Sequence, residues 1–163
     1  MKQIMVDIET LGTQSDAAII AIGAVEFNLK SKELGTEFYC TCIPDTKNFS
    51  VDFNTVKFWI EQKKDVAGET FKGECDIVQA LFRLHNYLLG SDSDGIIWAN
   101  GASFDFPILA NHYRHYDIAL PWKFWNERCF RTYKNLFPKD MPKNDYLHNA
   151  LEDAKWQARY LMQ

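Results

Sequence analysis

The chain has no long hydrophobic run, no excess of positive charge, no zinc-like cysteine spacing and no low-complexity stretch, and each absence removes a class of protein. Among its 163 residues the longest apolar run, Ala17 to Val25, is interrupted by Gly23 and falls far short of the roughly 20 residues a membrane-spanning helix needs. No membrane partner is expected. The first apolar strand pattern starts almost at Met1, so no secretory leader is expected either. The four cysteines, Cys40, Cys42, Cys75 and Cys129, have neither zinc-site spacing nor the density of a secreted scaffold, which predicts reduced thiols in a cytoplasm. With 18 basic against 22 acidic side chains the formal charge is -4, which argues against a protein that coats long nucleic acid by bulk electrostatics. A composition of 47% hydrophobic and 25% charged residues predicts one globular domain over residues 1–163.

The charges that are present are unevenly placed. Between Trp122 and Lys143 stand Lys123, Arg128, Arg131, Lys134, Lys139 and Lys143, opposed only by Glu127 and Asp140. Such a rim reads either as an ordinary solvated helix face or as a hold for a short polyanion beside an acidic centre. The acidic centre has an obvious candidate in Asp7-Ile8-Glu9-Thr10, which closes the apolar run Ile4-Met5-Val6. Alternation along a strand puts Asp7 and Glu9 on one face, roughly 7 Å apart at about 3.3 Å per residue. Two carboxylates so close repel each other unless a hard cation such as Mg²⁺ or Mn²⁺ lies between them. A solvated strand end before a turn at Gly12 explains them equally well if they stand alone.

Further along, Ala17 to Phe27 and Thr36 to Ile43 read as strands joined by a polar turn, forming an antiparallel meander with the first. Asp52 to Gln62 and Asp76 to Leu89 have helical spacing, the second stopped by Gly90. After a polar loop at Ser91 to Gly95, the apolar Ile96 to Ala99 predicts a buried central strand. Helical spacing resumes from Phe104 to Tyr116, and Pro107 is tolerated only near a helix start, which puts Asp105 in the first turn. Pro121 to Trp125 reads as a short fifth strand, Glu127 to Phe137 as a helix and Pro138 to Asn144 as a loop. A final helix begins near Asn149, where Asn149-x-x-Glu152 has the form of a capping box, and Ala150, Ala154 and Ala158 make a stripe for close packing with Asp153 at its margin.

These residues resemble the DEDDh family of 3'-to-5' exonucleases, which includes ribonuclease T, oligoribonuclease and polymerase proofreading domains. Its first motif appears as DIET at Asp7 to Thr10, its second as NGASFDFPIL from Asn100 to Leu109 and its third as HNALEDA from His148 to Ala154. The resemblance implies a ribonuclease-H-like α/β fold, a mixed five-stranded sheet of antiparallel meander plus parallel strands flanked by helices. It implies two Mg²⁺ or Mn²⁺ ions held by Asp7, Glu9, Asp105 and Asp153, His148 as general base, and single-stranded RNA or DNA 3' ends as substrate. It places Thr10, Leu11, Gly12, Thr13, Asn100 and Phe104 against the substrate, Leu11 packing on the terminal base. Only ten residues separate Phe137 from His148. That brevity, Trp59-x-x-Gln62 and Phe130-Arg131-Thr132 resemble small ribonuclease AS-like exonucleases of bacteria and phages, which favours RNA, a homodimer and Trp59 near the substrate. A ribonuclease-H-like endonuclease and a non-catalytic nucleic-acid-binding module remain as alternatives.

Overall fold

Alternation along β1 (Lys2–Thr10) decides the layering of the molecule. The computed structural model describes residues 2–91, 95–145 and 147–163, so part of the loop expected at Ser91 to Gly95 lies outside the described residues. Ile4, Val6 and Ile8 point to one side of the sheet, into a core shared with Leu81 and Leu84 of α3 (Ile77–Gly90) and with Phe106, Leu109 and Tyr113 of α4 (Asp105–His115). Met5 points to the other side, where it packs with Phe130 of α5 (Phe130–Leu136) and with Ala154, Ala158 and Leu161 of α6 (Ala150–Met162). By the same parity Asp7 and Glu9 face α6.

β2 (Ile19–Asn28) and β3 (Glu33–Ile43) complete the expected antiparallel meander, with Asp7 opposite Gly23 and Gly23 opposite Tyr39. β5 (Ile97–Ala99) runs parallel to β1, pairing Ile4 with Ile97 and Val6 with Ala99. β6 (Glu127–Cys129) runs parallel to β5, and β4 (Cys75–Asp76) parallel to the end of β3. The sheet order is β4-β3-β2-β1-β5-β6, a mixed sheet with helices on both faces.

The sheet thus has six strands among the described residues rather than the expected five, and the strand expected at Pro121 to Trp125 is not there. Phe124 to Asn126 form a 3-10 turn whose Phe124 and Trp125 remain exposed, so the aromatic run that suggests a buried strand does not bury. The pairing is made instead by Glu127 to Cys129, within the segment expected to be helical, and the helix begins only at Phe130. The two-residue β4 carries too short a pattern to read, and α2 (Lys64–Thr70), KDVAGET, has no apolar stripe.

α1 (Phe53–Glu61) starts where expected because the Asp52 carboxylate accepts the Thr55 N–H at 2.9 Å. Its Trp59 joins Leu11, Ala18, Ile20 and Phe49 in a third apolar cluster that ties α1 to the end of β1. All four cysteines are free, and the Cys40 and Cys75 sulfurs lie 2.8 Å apart.

Candidate active site

The four acids and the histidine are brought together by three local devices. The first is the missing side chain at Gly23, beside Asp7 in the sheet. A Cβ there would lie 2.3 Å from both the Ala150 carbonyl carbon and the Leu151 nitrogen, so only glycine lets the first turn of α6 rest on β2. Asn149 caps that turn by accepting the Glu152 N–H at 3.1 Å. Asp153 and Gln157, one turn apart on α6, then face β1, and the Gln157 amide donates to Asp7 Oδ1 at 2.8 Å.

The second device is the end of β5. Its last partner on β1 is Val6, and the Ile8 N–H beyond it donates to Asp105 Oδ1 at 3.3 Å. Asp105, the first residue of α4, is thereby fixed against the strand that carries Asp7 and Glu9. Its other oxygen, Oδ2, is buried and has no hydrogen-bond partner among the described residues.

The third device is the loop before α6. The His148 N–H donates to Asp153 Oδ2 at 2.8 Å, and the Asn144 amide donates to Asp153 Oδ1 at 2.7 Å. His148 has φ +69°, a left-handed conformation uncommon for a non-glycine residue. Its ring lies edge-on to Phe58 at 4.9 Å and to Trp59 at 6.3 Å. A ring nitrogen, a Glu9 oxygen and an Asp153 oxygen all lie within 4.8 Å of one another.

The electrostatic consequence is a cluster that resists ionising. Burial is the main cause at every acid. The Asp7 carboxyl is held well above the usual range by burial and then by Asp105, Glu9 and Asp153, with Gln157 opposing. Glu9 rises from 4.5 to about 8 through burial, Asp153 and Asp105. Asp105 rises to about 7 through burial, although its own amide, the Ile8 N–H and the Arg131 guanidinium favour its ionised form. Asp153 is raised by burial against the pull of His148 and Asn144. No ion pair reaches any of the four among the described residues. Asp7 and Glu9 are only half-buried and Glu9 lines a cleft, so a solute can reach them. Hard oxygen donors, mutual repulsion and one orphaned oxygen fit a divalent cation.

The cleft beside the acids has a volume of about 450 Å³. Thr10, Gly12, Thr13, Trp59 and Phe104 line it, together with Phe58, Asn54, Thr55 and Asp52. Trp59 is both core and wall, 3% exposed, with its indole N–H donating to the Thr10 carbonyl at 2.9 Å. Leu11 is not in the wall. Its side chain belongs to the apolar cluster, and its backbone bonds to Ala18 and Asp52. Asn100 also lies elsewhere, lining a separate groove beyond Asp153, with its carbonyl accepting from Arg131 at 3.1 Å. Gln157 and Asn144 touch the acids directly and are absent from the motifs. Gln157 had a readable signal, since it follows Asp153 by four residues and so shares its helix face.

Acids arriving in this order, from the central strand, from the helix after the parallel strand and from the last helix just behind a histidine, place the chain in the DEDDh class of 3'-to-5' exonucleases on a ribonuclease-H-like sheet. Residues 2–163 match the model of the 3'-5' exoribonuclease Rv2179c-like domain, and the chain belongs to that family of hydrolases. A curated relative, an exodeoxyribonuclease of enterobacteria phage T4, is 24% identical over 99% of this chain and 91% of its own. Among solved structures, E. coli exonuclease I in a zinc-bound complex with single-stranded DNA superposes with a TM-score of 0.74 at 13% identity, covering 99% of this chain but 39% of that one. The nuclease domain of 3'hExo, a DEDDh family member bound to rAMP, gives a TM-score of 0.66 at 13% identity over 98% of this chain and 88% of its own. The chain therefore spans about two fifths of exonuclease I, and at these identities the superpositions show the fold.

Proposed function

We propose that residues 1–163 form a single exonuclease domain that removes nucleotides one at a time from the 3' end of single-stranded nucleic acid, releasing 5'-mononucleotides. The observation that carries this reading is the convergence of four carboxylates, with no ion-paired lysine or arginine among the described residues, beside a cleft whose wall residues Phe58 and Trp59 hold His148. Asp7, Glu9 and Asp153 would hold one divalent ion and Asp7 with Asp105 a second, Mg²⁺ or Mn²⁺. Bound there, such ions would supply charge neutralisation at the scissile phosphate and the departing 3'-oxygen. The remaining work belongs to the chain. His148, steadied by Phe58, Trp59 and its backbone bond to Asp153, takes a proton from water as the oxygen adds to phosphorus. The bond from phosphorus to the upstream 3'-oxygen then breaks, and the terminal nucleoside in the cleft leaves with its 5'-phosphate. Among the described residues the cleft wall contains no lysine or arginine, which suits an uncharged nucleoside.

His148→Ala should lose about 10²- to 10⁴-fold in kcat, the usual worth of a positioned base, with KM within a few-fold and partial rescue by added imidazole. Loss of Mn²⁺ affinity in calorimetry would instead make His148 a ligand, which its closeness to Glu9 and Asp153 also permits.

End-labelled oligomers test the direction. A bulky group on the 3' hydroxyl should stop release and a circular single strand should survive; cleavage of the circle would establish an endonuclease. RNA is favoured over DNA in this reading, supported by the description of the family model, whereas the phage relative bears a deoxyribonuclease name. Matched ribo- and deoxyribo-oligomers should differ in kcat/KM if the site reads the 2'-hydroxyl. The active form is a homodimer in this reading, and a monomeric mass in solution scattering would remove that part of it.

A further inference from the structure

We propose that the upstream part of the strand leaves the acid cluster along a groove between α5 and α6, its phosphates met by Lys134 and Lys143 and one base stacked on Trp156. The inference rests on the exonuclease reading, and it concerns the side of the acids opposite the nucleoside cleft.

The acids stand between two depressions of opposite character. Among the described residues the nucleoside cleft has only Glu9 and Asp52 as charged wall residues, so it offers nothing to a chain of phosphates. On the other side a groove of about 270 Å³ begins at Asp153 and Gln157, the side chains that face Asp7, and its charged wall residues besides Asp153 are Lys134 and Lys143. A third depression, of about 450 Å³, shares Lys134 and Trp156 with this groove and prolongs it past Lys139. A strand whose scissile phosphate lies at the acids and whose last nucleoside fills the cleft can continue on this second side, where the wall begins at Asp153 itself.

The groove is furnished for that use. Trp156 is held in place by its indole N–H, which donates to the Pro142 carbonyl at 2.8 Å, and by Phe130, edge-on at 6.2 Å. Its ring therefore offers a fixed face at little further ordering cost, and any base can stack on it. Lys134 Nζ lies over the ring, 5.9 Å from its centroid, so a base that stacks on that face displaces the ammonium toward the phosphates. Lys134 and Lys143 are both exposed. Lys139 is engaged internally with the Tyr160 carbonyl at 3.0 Å, so among the described residues of this groove Lys134 and Lys143 are the cations that can meet phosphates. In a chain of net charge -4, attraction for a polyanion must come from such a local track rather than from the whole surface. The basic rim visible in the sequence thus acquires a direction, leading from the acids outward over α5 and α6.

The test measures binding separately from hydrolysis. Fluorescein at the 5' end of oligouridylates two to eight nucleotides long, with a 3'-terminal phosphorothioate linkage to slow turnover, reports affinity by anisotropy in Mg²⁺. Wild-type affinity should climb with length beyond the dinucleotide. In Lys134→Ala/Lys143→Ala that climb should be lost, with the penalty largest on the octamer. The slope of log affinity against log salt should fall by about 1.4, at about 0.7 per single-strand phosphate contact. Trp156→Leu should weaken the octamer roughly tenfold and the dinucleotide far less. A double variant that keeps the wild-type length dependence and salt slope would overturn the track while leaving the exonuclease reading intact. Length-dependent binding through these lysines by a protein that hydrolyses nothing would uphold the track and overturn the exonuclease reading.

Discussion

Asp7→Asn should abolish hydrolysis and, in chelator, raise the melting temperature of the protein. The two effects share one cause. Asp7 is at the centre of a group of acids that raise one another, and the amide removes one charge while still accepting the Gln157 hydrogen bond. Glu9 is raised from 4.5 to about 8 and Asp105 from 3.8 to about 7, so the folded protein holds protons that the unfolded chain has already released. Stability of the metal-free protein should therefore be fullest below about pH 4 as far as these groups are concerned, and should decline as pH rises through the interval up to about 8. The variant should show a shallower decline. Mg²⁺ or Mn²⁺, binding only the folded state, should recover most of the loss at pH 8 in the wild type and less in the variant. Calorimetry from pH 5 to pH 8 with and without metal measures all of this, and a variant that melts lower than wild type in chelator would make the acids structural.

Gly23→Ala should be the most damaging single methyl addition in the chain for activity. Its Cβ would meet backbone at 2.3 Å on two atoms, and no flexible side-chain end is available to move aside. The first turn of α6 would have to retreat by about 1 Å to reach ordinary contact. Overpacking of this kind costs about 1–3 kcal/mol, or a fall in melting temperature of about 2–12 °C for a domain of this size. Activity should suffer more than stability, because Asp153 and Gln157 ride on the same helix as the displaced turn, and a misplacement of about 1 Å can cost on the order of a hundredfold in rate. Unchanged kcat with unchanged melting temperature would show that α6 is not seated on β2 as described.

Much of this geometry is legible in the sequence, for identifiable reasons. Period-two alternation puts Asp7 and Glu9 on one face without any structure, and Pro107 restricts where α4 can start. Gly23 reads only as an interruption of an apolar run, because nothing local announces that another segment 127 positions later will rest on it. Leu11 lies within three residues of the cleft-lining Thr10, Gly12 and Thr13, yet its side chain turns into the core because the strand face at that point belongs to Ala18 and Ile20. β6 is hidden for a similar reason. Glu-Arg-Cys has no strand signature of its own, and its conformation is imposed by pairing with Trp98 and Ala99. Local pattern finds elements that bury themselves by their own periodicity and misses those that are recruited by a neighbour.

The place of α6 in chain order has a consequence for how the protein comes into being. Asp7, Glu9 and Asp105 all precede it, but Asp153, Gln157 and the alanines that cover Met5, Val25 and Phe27 arrive with this last described element. A chain interrupted before α6 lacks both the closing carboxylate and the lid of one core. Unfinished copies are thus expected to be inert toward nucleic acid, and their uncovered apolar sheet face marks them for proteolysis. Assembly of the acid cluster and covering of that core are therefore the same event.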